Sequence, residues 1–134
     1  MTLVLVGSNP VFGINDNGLA GSTPGDVRTL SLTMSTPQGR EVGLVHVVQT
    51  LTRHEAAHDY ALDQVVLVLK GGAIVATGTD EFSDFTDPGV APIDNEHMAI
   101  TGGTGKYLGA IGTLDFVARP DRTSKWVFRI VSHQ

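Results

Sequence analysis

The chain has 134 residues, 41% of them hydrophobic and 17% charged, and a formal net charge of −5 at pH 7. That balance fits one globular domain over residues 1–134, excludes a disordered chain, and argues against nucleic acid as a partner, since phosphate binding needs a basic face. There is no cysteine, which excludes disulfides and thiolate metal sites.

In chain order, short runs rich in Val, Leu, Ile and Thr alternate with turn-forming clusters. The opening LVLV precedes GSNP; it has no basic flank and is too short for a signal peptide or a membrane span. The expectation is therefore a soluble, cytoplasmic chain with no membrane partner. VRTLSLTM precedes STPQGREVG, VGLVHVVQTL precedes the polar TRHEAAHD, and YALDQVVLVL precedes KGG. AIVATGT is followed by the predicted loop DEFSDFTDPGVAPIDNE, and then come HMAIT, LGAIGTLDFVA and KWVFRIVS. About eight strands at this spacing predict an all-β sandwich or barrel. Helical character is credible only over Thr52–Gln64, which lacks a clear cap and a sustained apolar stripe.

Three motifs suggest chemistry. AITGGTGKYLGAIG, residues 99–112, looks like a phosphate-binding loop, but its C-terminal part alternates like a strand, and only 22 residues follow Gly112. A dinucleotide fingerprint needs a helix and further strands there. A P-loop fails because Ile100 stands five positions before Gly105 and Tyr107 follows Lys106. Strand, glycine turn, strand is the better reading. HEAAH, His54 to His58, satisfies the zinc-protease pattern, which requires a helix to put both imidazoles on one face. Here it lies between two predicted strands, with Glu81 as the sole distant third ligand, so it reads as a hairpin loop with no metal.

The third motif is the set of polar residues on strand faces. Arg28 shares a face with Leu30, Leu32 and Met34; Gln49 with Val45 and Val47; Gln64 with Val66 and Val68. Trp126, Phe128 and Ile130 share a face of the last strand. A polar residue on an apolar strand face is either a satisfied core group or a polar handle in an apolar pocket.

With the glycine run placed between strands, the chain resembles the allene oxide cyclase and dirigent-protein superfamily. AITGGTGKYLGAIG is similar to the cyclases' AITGGSGIFEGAYG and the dirigents' VVGGTGKFRMARG, and the likeness runs from about Gly21 to Ile130. The resemblance implies a single antiparallel eight-stranded β-barrel whose lumen holds a small hydrophobic ligand, in a homo-oligomer, dimer or trimer. It departs from the plant cyclases in having no carboxylate before Asp16 and Leu32 where they carry Asn, and from the dirigents in having Ile111 where they carry Arg. Bacterial natural-product cyclases of the same barrel type are nearer in kind. The implied activity is a cyclase or isomerase acting without a cofactor on an apolar polyene or polyketide-type intermediate, including (4 + 2) cyclisation. The alternative is a carrier of the same ligand class. On this reading Arg28, Gln49 and Gln64 are the catalytic donors. The substrate walls are Leu30, Leu32, Met34, Val47, Val66, Ile111, Trp126 and Phe128, with His97 near the mouth.

Overall fold

A computed structural model of the chain describes residues 1–18, 20–87, 92–93 and 97–132. Eight strands form one closed sheet: β1 (Thr2–Asn15), β2 (Val27–Ser35), β3 (Glu41–Glu55), β4 (His58–Leu69), β5 (Gly72–Phe82), β6 (Met98–Gly103), β7 (Ile111–Ala118) and β8 (Ser124–Ser132). Each pairs antiparallel with its sequence neighbour, and β8 closes on β1. Of the all-β sandwich or barrel that the strand spacing allows, the chain adopts the eight-stranded barrel that the resemblance implied. Closure leaves no unpaired sheet edge.

The glycine run is a strand turn. β6 ends at Gly103, a single 3-10 turn spans Gly105–Tyr107, and β7 returns antiparallel to β6. Gly105 has φ +59°, and a Cβ there would stand 2.1 Å from the carbonyl oxygen of Gly71. Gly105→Ala should therefore lower the melting temperature, through backbone collision and left-handed strain together. An unchanged thermal transition would show that this turn relaxes freely.

Two predicted loops are shorter than expected. TRHEAAHD is mostly strand: β3 runs to Glu55, β4 starts at His58, and Ala57 takes φ 56° at the tip. His54 and His58 sit on a hairpin, where each faces a carboxylate: His54 pairs with Asp59, and His58 Nε2 lies 2.9 Å from Glu81. The predicted loop from Asp80 to Glu96 also begins later, because β5 continues through Asp80 to Phe82. Its residues 88–91 and 94–96 lie outside the described residues.

Inward-facing side chains fill the middle of the barrel. Met34, Val45, Leu67, Ile74, Leu114 and Phe128 are all completely buried in one apolar cluster. Phe128→Ala should cost about 3–5 kcal/mol, read as a lowered denaturation midpoint, because the surrounding closed sheet cannot collapse onto the void. This plug divides the interior into two chambers. The upper chamber, a cavity of about 320 Å³, opens at the end carrying the β7–β8 turn. The lower chamber, of about 620 Å³, opens at the end carrying the β2–β3, β4–β5 and β6–β7 turns.

Candidate functional site

The upper chamber joins an apolar, aromatic wall to a buried polar row. Leu30, Leu32, Val47 and Met98 line it with Phe12, Phe82, Phe116 and Trp126. Phe116 stacks on Trp126 at 5.0 Å between ring centroids, and the indole is fixed by its N–H donating 2.8 Å to Ser124 Oγ. Such a wall offers flat, rigid area to a conjugated molecule.

The polar row comes from strand register. Arg28 on β2 faces Gln49 on β3, which faces Asp63 on β4, so three cross-strand neighbours present polar groups to the lumen. Asp80 on β5 faces Ala61, two positions before Asp63 on the inward face of β4. The amide nitrogen of Gln49 ties the carboxylates together, donating 3.4 Å to Asp63 Oδ2 and 3.2 Å to Asp80 Oδ2. The Arg28 guanidinium lies over three phenylalanine rings, Phe12 at 4.9 Å, Phe82 at 4.6 Å and Phe85 at 5.4 Å to the centroids. Those contacts partly replace water around a buried cation.

Burial, with the hydrogen bond and charge of Asp80, pushes the Asp63 carboxyl up to about 10, against the smaller opposing pull of Gln49 and Arg28. Two adjacent carboxylates in low dielectric do not both ionise, so the pair keeps a proton at neutral pH, and the raised pKa of Asp63 favours it there. Burial also lowers the Arg28 pKa from its ordinary value, opposed by Asp63 and Asp80, and a guanidinium remains a cation throughout the physiological range. Arg28 Nε and Nη1 and Asp63 Oδ1 are buried with no hydrogen-bond partner among the described residues. Leaving such groups unmatched costs about 1–3 kcal/mol each, which the carbonyl or hydroxyl of a ligand would offset.

The predicted site residues divide into three groups. Arg28, Gln49, Leu30, Leu32, Val47 and Trp126 line the chamber. Met34 and Phe128 belong to the central plug instead. Gln64, Val66, Ile111 and His97 are corrected to the outer surface. β4 is apolar on both faces, and it is Ala61, Asp63, Val65 and Leu67 that point inward, leaving Gln64 exposed and Val66 partly so. Ile111 is 50% exposed, and His97 pairs with Asp115 outside the barrel, where Asp115 also accepts from Arg129. The sequence reading missed Asp63 and Asp80. The signal for Asp63 was its alternation with Ala61, Val65 and Leu67; that for Asp80 was its alternation with Ile74, Ala76 and Phe82.

No family model and no curated protein matches the chain. Solved structures do. A pyocyanin demethylase superposes with TM-score 0.77 at 26% identity, covering 98% of this chain and 100% of that one. The Diels-Alderase AbmU from Streptomyces koyangensis gives TM-score 0.69 at 21% identity, over 99% of this chain and 70% of that one. AbnU, an exo-specific intermolecular Diels-Alderase, gives 0.67 at 18% identity, over 97% and 96%. The barrel is shared. At these identities a common architecture hosts different chemistries, so function has to be argued from the side chains in the lumen.

Proposed function

We propose that the upper chamber binds a small conjugated molecule and accelerates its cyclisation or isomerisation, with the protonated carboxyl of Asp63 as the acid. The observation that carries this reading is a proton-holding carboxyl beside an unmatched guanidinium on one side of an aromatic cavity. A carboxylic acid kept neutral at pH 7 donates a hydrogen bond, and then a proton, to a carbonyl oxygen as charge develops there. Arg28 stabilises the same developing charge, while Gln49 positions the acid pair. The apolar walls fold a flexible precursor with its reacting carbons adjacent, converting conformational freedom into rate. The solved cyclases of this barrel type support the reaction class.

The reading needs no cofactor. One barrel neighbour is described as a nonspecific heme-binding cyclase. The described residues lining this chamber include no His, Cys or Tyr and leave Met98 as the one soft ligand, a donor set that does not fit an axially ligated haem.

The test incubates a candidate linear conjugated precursor with protein, after exhaustive chelation, and follows products by chromatography coupled to mass spectrometry, which separates a product from a precursor of the same mass. Cyclisation or isomerisation leaves the mass unchanged. Tight binding with no conversion would replace the enzyme with a carrier. The stacked aromatic wall and the match along the full length of a pyocyanin demethylase favour one second reading, demethylation of a planar N-methyl heteroaromatic. In that reaction the ring takes up two electrons, water supplies the oxygen and the methyl carbon leaves as formaldehyde, so that formaldehyde release would reveal it.

We also propose that the barrel is an allene oxide cyclase-type domain and works as a homo-oligomer through the outer faces of β3 and β4. Leu44, His46, Val48, Thr50, Leu62, Gln64, Val66 and Val68 form a cross-strand patch there without a formal charge when His46 is neutral, and Leu44 faces Val68. In a chain of charge −5, an uncharged patch lets a second copy approach without like-charge repulsion. Val48→Lys with Val68→Lys should lower the light-scattering mass while the β-sheet circular dichroism stays the same. An unchanged mass would remove this face as the interface.

A further inference from the structure

We propose that the lower chamber is a second ligand site, for an amphipathic carboxylate with an apolar body and one anionic head. It lies at the opposite end of the barrel, behind the plug, and shares no lining residue with the upper chamber.

Its shape and charge both arise from three turns. Lys106 N donates 2.9 Å to Gly71 O, and Thr104 N donates 2.9 Å to Ala73 O, so the β6–β7 turn is clamped against the β4–β5 turn. That clamp brings Lys106 beside Lys70. The β2–β3 turn, closed by Thr36 and Arg40, supplies the third cation. Three of the nine basic residues in an acidic chain thus gather on one cavity, with Glu41 as the acidic residue in its lining. Among the described residues, none of Arg40, Lys70 and Lys106 forms a salt bridge with a side-chain carboxylate, whereas Arg53 and Arg129 do.

Beneath the cations the wall is apolar: Leu3, Leu5, Val42 and Leu69, with the ring of Tyr107. The Lys106 ammonium lies 5.3 Å from the centre of that ring, which holds it at the cavity. Cations around an apolar cleft match a ligand that is greasy at one end and anionic at the other. A free inorganic anion gains nothing from the wall, and a neutral alcohol can accept a hydrogen bond from the cations but lacks the charge pairing of a carboxylate.

The test titrates the intact protein with decanoate and with decanol, below their aggregation limits, following the methyl resonances of Leu3, Val42 and Leu69. Decanoate should bind and shift these signals, and decanol should bind at least tenfold more weakly. Lys70→Met with Lys106→Met should weaken decanoate about tenfold or more, from lost charge-assisted hydrogen bonds, and remove most of the salt dependence. The Trp126 fluorescence of the upper chamber should stay unchanged. Equal binding of decanol, or decanoate binding indifferent to the double substitution, would overturn the proposal. So would shifts confined to the upper chamber. Sedimentation with phosphatidylglycerol vesicles that depends on the same lysines would make the surface a membrane contact instead and would equally overturn it.

Discussion

Replacing Asp63 with Asn should reduce turnover by about 10²- to 10⁴-fold, the usual contribution of a positioned general acid, while leaving ligand affinity nearly intact. Asparagine keeps the size of the side chain and offers an N–H donor in place of the acid's O–H, so it can still hydrogen-bond a ligand but has no proton to give up. The same substitution should stabilise the fold at neutral and alkaline pH. The sign comes from proton binding. In the unfolded chain the Asp63 carboxyl has its ordinary pKa of 3.8, and in the fold it is raised to about 10, so between these values the native state holds the extra proton. Stability of the native protein is therefore greatest, on this account, below the unfolded pKa and declines as pH rises toward the folded one. The Asn variant should show a flatter decline over that window and a higher melting temperature at pH 7. Activity of the native enzyme should persist through neutral pH and fall as the acid loses its proton near pH 10. An Asn variant with full turnover would exclude Asp63 as the acid. One with an unchanged pH–stability profile would show that Asp63 is ionised in the fold.

Arg28→Met should be the most destabilising substitution in the chamber, at about 3–5 kcal/mol by chemical denaturation, the scale seen when one partner of a buried charge cluster is removed. Met fills part of the space among Phe12, Phe82 and Phe85, so the loss reads the electrostatics more than the volume. Without the guanidinium, no cation faces the carboxyls of Asp63 and Asp80 within the row, and the protein must carry both protonated or unfold. The expected signature is a stability loss that grows with pH. Arg28→Lys should restore the charge but not the planar stack on three rings, giving partial recovery. A pH-independent loss would mean that Arg28 acts only by packing. Where Arg28→Met folds well enough to assay, turnover should fall with little change in KM, since the charge acts on the transition state more than on the bound substrate.

The architecture was legible because period-2 alternation and turn chemistry are local. VRTLSLTM and KWVFRIV each carry one plainly apolar face, from which the folded barrel buries Leu32, Met34, Trp126 and Phe128, whereas VGLVHVVQTL is apolar on both faces and the fold buries Val45 and Val47. The glycine run was legible for the same reason: the residues after Gly109 alternate as a strand does, and no helix can start there. Arg28 and Gln49 stood out as polar residues in phase with buried apolar ones.

β4 shows where local reasoning ends. Both of its faces are apolar, Ala61, Val65 and Leu67 on one and Leu62, Val66 and Val68 on the other, so composition left the phase open and Gln64 was as good a choice as Asp63. Only the register, in which Gln49 pairs with Asp63, decides which one enters the lumen. Asp80 was hidden differently: an Asp-Glu pair reads as the start of a loop, yet hydrogen bonding of β5 to β4 carries the strand through it. The plug that removes Met34 and Phe128 from the chamber, and the cations gathered around the lower cavity, come from closure of the sheet. The sequence by itself determined that strands form, where they turn and which residues alternate, because those depend on neighbours along the chain. Which carboxyls meet, and which of them keeps its proton, was decided by the tertiary structure, because burial and charge proximity arise only when β2, β3, β4 and β5 are brought side by side.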